Sequence, residues 1–159
     1  MNNSSLRTGI SFGLASGVIT TLGVMIGLYF GTFSRGIVLA GILTVAISDA
    51  FSDGMGIHFA EETEGVHTTK EIWISTIATF FSKFIVSMTF FFFILLLPIK
   101  IALVWNTVWS FLLVGFFTYY ICKKQNRKPL NAISEHFILM IVVMFVTYYF
   151  GRFIDKMFL

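Results

Sequence analysis

Apolar residues run almost unbroken through five stretches of the chain, with short polar segments between them. The stretches fall at about residues 9–30, 36–60, 72–97, 101–122 and 132–150. Each is close to the ~20 residues that an α-helix needs to cross the hydrocarbon core of a bilayer. No segment alternates apolar and polar positions over strand length, as a membrane barrel requires. With no water in the core to satisfy free backbone groups, helices are the remaining solution. The pattern predicts an all-α membrane protein, one five-helix transmembrane domain over residues 1–159. The connections read as a tight turn at "TFSR", a polar loop at "EETEGVHTTKE", a "PIK" corner where Pro98 ends the third helix, and a basic loop at "KKQNRKP".

Composition agrees with this reading. The chain is 57% hydrophobic and 12% charged, with a mean hydropathy of +0.87, more apolar surface than a water-soluble domain of this length can bury. The expected location is a membrane crossed several times, the cell membrane in a prokaryote. The N-terminal apolar stretch is too long for a signal-peptide core and carries no small-residue cleavage pattern, so it is expected to be retained. A single cysteine, Cys122, leaves no intramolecular disulfide.

The net charge of +3 matters less than its placement. Lys123, Lys124, Arg127 and Lys128 gather between the fourth and fifth stretches, which puts that loop in the cytoplasm. The N-terminus then lies in the cytoplasm and the C-terminus outside. Arg35, Lys100, Arg152 and Lys156 fall on the external side, against the bias. No nucleophile–base arrangement, P-loop or CxxC motif occurs, so neither an enzyme nor a nucleic-acid binder is expected, and no prosthetic group is called for.

Three features carry candidate chemistry. Gly9, Gly13 and Gly17 recur every four residues, as do Gly23, Gly27 and Gly31. This stripe of small residues would let another backbone approach closely, either within the subunit or across a homodimer, and a homodimer is expected. Asp49 and Asp53 interrupt the second stretch, four residues apart and therefore on one helical face. Two carboxylates so close in a low dielectric do not both ionise easily. A proton or an arriving cation would balance them, the physical basis of metal–proton exchange, and their oxygens suit Mn²⁺ or Fe²⁺. Met55 could add a thioether, although it lies nearly across the helix from Asp49. Lys83, in the middle of the third stretch at a depth similar to Asp49, is the candidate counter-charge. An Asp49–Lys83 ion pair that merely fixes helix packing is the bland alternative, and Asp53 would still need a partner. The third feature is the end of the second stretch, where His58, Glu61 and Glu62 have helical spacing. They read either as a cation-gathering entrance, with Glu64, His67 and Glu71 nearby, or as a solvated helix end.

"ASGVITTLGVMIGL" followed by "GIVLAGILTVAISDAFSDGMGIHFAEE" resembles the first two helices of the vacuolar iron transporter family, and "VTYYFGRFI" resembles the family's last helix. The resemblance implies five helices with a cytoplasmic N-terminus, a dimer with the first helix central, and export of Fe²⁺ or Mn²⁺ from the cytoplasm in exchange for protons. The chain departs from the family pattern at positions that matter. The family's first-helix aspartate falls on Ser16, and a second-helix methionine falls on Asp53. Only "AEETEGVHTTKE" stands where plant and fungal members carry a Glu- and Met-rich metal-capture domain. The expected function is divalent-metal transport, with Asp49, Asp53, Met55, His58, Glu61 and Glu62 as the candidate metal set. The alternatives are a non-transporting scaffold of the same fold and a passive cation channel.

Overall fold

The computed structural model describes residues 3–158. Five helices long and apolar enough to cross a membrane make up nearly all of it, and no strand occurs among the described residues. They are α1 (Asn3–Thr32), α2 (Arg35–Glu64), α3 (Thr69–Leu96), α4 (Ile99–Lys124) and α5 (Pro129–Phe158). Each extends past the apolar stretch that predicted it at one end or both. Polar residues at a membrane surface continue a helix readily, because its hydrogen bonds are internal and the side chains are free to meet water. The largest difference is at the acidic segment. α2 runs on to Glu64 and stops at Gly65, whose φ of 67° is a left-handed C-terminal stop. Thr68 and Glu71 then form a reciprocal capping box that starts α3. The expected loop "EETEGVHTTKE" is therefore two helix ends joined by four residues, 65–68. The "TFSR" turn is tight: Phe33 takes a positive φ of 51°, and Ser34 caps α2 by accepting from the Ile37 amide.

α2 is not regular throughout. A π turn spans Val45–Asp49 between an α-helical first part, Arg35–Thr44, and a second, Ala50–Glu64. Such a turn is an extra residue held inside a helix, and it tends to occur where a side chain is aimed for function. Here it ends on Asp49.

The glycines explain how the bundle closes. Gly9, Gly13 and Gly17 are buried against α3. A Cβ at Gly9 would overlap the Ser75 carbonyl, one at Gly13 the Thr79 carbonyl, and one at Gly17 would stand 3.2 Å from the Lys83 Cα. Gly23, Gly27 and Gly31 meet Val143, Thr147 and Gly151 of α5 instead. The single stripe expected from the four-residue spacing is thus two stripes on two faces. The six-residue step from Gly17 to Gly23 turns the helix by about 240°, at ~100° per residue. Both are used for packing inside the subunit: α3 covers Gly9, Gly13 and Gly17, while Gly23, Gly27 and Gly31 pack on α5 and also line the clefts beside it. Their pairing order also fixes direction: rising numbers on α1 meet rising numbers on α3 and on α5, so the three run parallel. Asp53 with Lys83 and Glu61 with Ser75 show α2 antiparallel to α3.

α1 is the central helix. Leu14, Val18, Leu22, Met25, Ile26 and Tyr29 form the middle of the core, with Val38 and Ile42 from α2 and Val86, Phe90 and Ile94 from α3. α5 contributes only Met140 to the fully buried cluster and is otherwise largely exposed.

Candidate functional site

A polar line runs through the α1–α3 seam. Ser75, Thr79, Lys83 and Ser87 follow one another every four residues on α3, all fully buried. Thr21 of α1 shares a hydrogen bond of 2.8 Å with Ser87. Lys83 is the one formal charge in this line, and it is the largest fully buried side chain of the protein. A bare ammonium there would be prohibitively costly, so its partners matter.

It has three. Nζ lies 2.5 Å from Asp49 Oδ2 and 2.5 Å from Asp53 Oδ2, and it donates to Ser16 Oγ at 2.9 Å. An ammonium has three N–H donors, and three oxygens from two neighbouring helices meet them. The glycines make this possible: the close approach at Gly17 brings Ser16, its neighbour, onto the end of Lys83. The four-residue spacing brings Asp49 and Asp53 to the same nitrogen. Asp53, which the sequence left without a partner, shares Lys83 with Asp49. With both carboxylates ionised, the group holds one negative charge more than Lys83 offsets. Each aspartate meets Nζ through Oδ2, which leaves lone-pair capacity for a further partner.

The two aspartates differ in access. The Asp53 side chain is 18% exposed and that of Asp49 is 36% exposed. Asp49 lines a cleft of about 650 Å³ between α1, α2 and α5. Its walls are mainly apolar, Ile19, Val24, Val45 and Val143 among them; of the hydroxyl residues along it, Thr20, Thr44 and Thr147 donate to the carbonyls of Ser16, Ala40 and Val143, and Ser48 and Ser52 flank Asp49 in sequence. The π turn supplies this wall, since Val45, Ser48 and Asp49 all belong to it.

The remaining candidates are dispersed. Met55 is 46% exposed and has no part in the group around Lys83. His58 Nδ1 pairs with Thr76 Oγ1 at 3.1 Å, and its ring stands edge-on to Trp73. Glu61 is buried and accepts from Ser75 Oγ at 2.5 Å. Glu62 is exposed. Glu64 faces His67 at 3.5 Å, and Glu71 is held in the capping box at Thr68. The expected acidic entrance is therefore divided among separate structural partners, because the helix continues through it and turns successive side chains to different neighbours. Among the described residues, no three His, Cys, Asp or Glu side chains converge as a metal-holding group.

The sequence assigns Ser16 no contact with Lys83 and does not single out Thr21, Thr79 and Ser87 of the polar line, where Thr21 and Ser87 pair and the Thr79 hydroxyl has no hydrogen-bond partner among the described residues. Their signal was present in the four-residue repeat of small polar residues through Lys83, opposite the glycines of α1. Comparison with protein-family models, with curated proteins and with solved structures finds no match. The likeness to vacuolar iron transporters rests on the quoted segments alone.

Proposed function

We propose that the protein is a membrane transporter that exchanges a divalent cation, Mn²⁺ or Fe²⁺, for protons, with Asp49, Asp53 and Lys83 as the coupling centre. One observation carries the reading: a fully buried lysine is shared by two carboxylates, and one of these opens onto a cleft between α1, α2 and α5. A cation arriving through the cleft meets Asp49 first. It competes with the ammonium of Lys83, and with any carboxylate proton, for the same oxygens. Occupation by metal and occupation by proton therefore exclude each other, which is what exchange requires. All the donors at the cleft are oxygens, and Met55 stands apart, so the chemistry leans towards Mn²⁺ over softer ions. The direction, out of the cytoplasm, comes from the family resemblance.

A second reading has its own support. The three donors of Lys83 are fully matched, so the group is complete as a lock between α1, α2 and α3 without any metal. Flux measurement separates the two. Liposomes holding the purified protein, with metal-sensitive and pH-sensitive dyes inside, should show Mn²⁺ or Fe²⁺ movement with opposite proton movement. Asp49→Asn should stop both while leaving Asp53 paired with Lys83 and the protein folded. No wild-type flux of Mn²⁺, Fe²⁺, Co²⁺ or Zn²⁺, with or without a pH gradient, would establish the lock. Metal flux that never changes the internal pH would establish a channel.

A further inference from the structure

At the end of the molecule that carries the basic loop, α1 and α4 stand apart and leave a groove of about 730 Å³. Its rim is cationic and polar. Arg7 rises from α1 and Lys124 from α4, with Thr8, Ser11 and Gln125 between them. Lys124 is held over the ring of Tyr120, 4.5 Å from its centroid. Lys123, Arg127 and Lys128 are exposed close by in sequence. No acidic residue lines this groove among the described residues, so no carboxylate on its walls offsets Arg7 and Lys124.

Below the rim the character changes. Ser11, Phe117 and Ile121 belong both to the groove and to a narrow slot of about 80 Å³ that continues inward. Leu14, Ala15, Ile19, Val114 and Leu139 line the slot together with Thr118 and His136, which share a hydrogen bond of 2.8 Å, and α1, α4 and α5 bound it. From Arg7 to Ile19 is twelve residues of α1, or about 18 Å at 1.5 Å per residue. Half of a hydrocarbon core is about 15 Å. The groove and slot together thus run from the membrane surface to its middle, basic at the top and mainly apolar below, with the Thr118–His136 pair set in the slot.

That gradient is the outline of one lipid molecule. We infer that this groove holds an anionic glycerophospholipid, with its phosphate between Arg7 and Lys124 and its glycerol and upper acyl chains against Ile10, Phe117 and Ile121. Charge complementarity identifies the headgroup as anionic, and the apolar groove wall of Ile10, Phe117 and Ile121 identifies the ligand as a lipid and not a free anion. The site is separate from the group around Lys83, so it stands or falls independently of the transport reading.

The test uses the purified protein in lipid-free detergent, with dioleoyl phosphatidylglycerol, dioleoyl phosphatidylcholine or inorganic phosphate added, read by native mass spectrometry and by thermal unfolding. One phosphatidylglycerol per chain should be retained and should raise the melting temperature. Phosphatidylcholine should bind more weakly by roughly thirtyfold, the product of about fivefold for each basic side chain near an anionic headgroup. Arg7→Gln with Lys124→Gln, both at exposed positions, should erase the preference without unfolding the protein. Equal retention of the two lipids by the wild type overturns the proposal, as does a preference that survives in the double variant. Stabilisation by inorganic phosphate equal to that by phosphatidylglycerol reduces the site to an anion site and overturns the lipid assignment. A double variant that changes oligomeric state and not lipid retention assigns the groove to a second copy of the chain, and likewise overturns it.

Discussion

Lys83 is expensive where it stands, and the cost of disturbing it depends on how many partners share it. Removing the ammonium leaves two carboxylates facing each other, so Lys83→Met should destabilise by about 3–5 kcal/mol, the usual cost of stranding buried charge. Asp49→Asn or Asp53→Asn should cost less, because each leaves a one-to-one pair. Adding Asp49→Asn to Lys83→Met should not restore stability, since Asp53 remains unpaired; Asp49→Asn, Asp53→Asn and Lys83→Met together should. Thermal unfolding of the five variants in one detergent checks the order, and full recovery in the double variant would return Asp53 to an independent role. Part of this site was legible beforehand. Asp49 and Lys83 stood at similar depth, and a shared face for the two aspartates followed from their spacing. The sharing of one lysine was not legible. It depends on how α2 turns toward α3 after the π turn, and a π turn leaves no mark in hydrophobic periodicity. Ser16 was visible only as an alignment position, while its role comes from the backbone approach at Gly17.

At the scale of helices, the glycines did more than was expected of them. Their spacing announced close packing but not the partner, because a repeat of four residues says which face is small and nothing about what lies against it. Gly9, Gly13 and Gly17 receive α3, and Gly27 and Gly31 receive Gly151 of α5, whose Cβ would stand 2.5 Å from the Gly27 carbonyl. A side chain at Gly13 has the rigid Thr79 backbone in its way, so relief requires α1 and α3 to separate. Gly13→Leu should then lower the melting temperature of the monomer itself and disturb the Lys83 group one turn further on. Unfolding at a protein concentration low enough to suppress association distinguishes this from loss of a dimer. A variant that melts like the wild type and only dissociates would place the glycines at a subunit boundary after all. Most span ends were legible to within a few residues, but α1 begins at Asn3, well before residue 9, and α5 runs on to Phe158, well past residue 150. The acidic segment was not legible, since charged residues look like a loop in a hydropathy pattern yet extend a helix that Gly65 and the Thr68–Glu71 box delimit.

For the whole molecule, five helices and a central α1 impose a sidedness that can be read without any assay of transport. α1, α3 and α5 run parallel by the order of their contacts, so Arg7 and Gln125 lie at one end and the far end of α5 at the other. The basic residues of 123–128 select the first end as cytoplasmic. Arg35 and Arg152 at the opposite end weaken that bias, but both are engaged locally. Arg35 donates to the Leu95 carbonyl at 2.5 Å, and Arg152 to Asp155 Oδ2 at 2.8 Å while lying 5.4 Å from the Phe33 ring centroid. The charge free to meet the cytoplasmic surface is therefore more one-sided than a count of Lys and Arg implies. In intact cells or oriented vesicles, Gln125→Cys should resist a membrane-impermeant maleimide applied from outside, and Lys156→Cys should react. The native Cys122 is buried and serves as the unlabelled background. External labelling at Gln125→Cys with protection at Lys156→Cys would invert the molecule. It would also place the lipid groove in the outer leaflet and reverse the direction proposed for the cation, while leaving the group around Lys83 and its stability order unchanged.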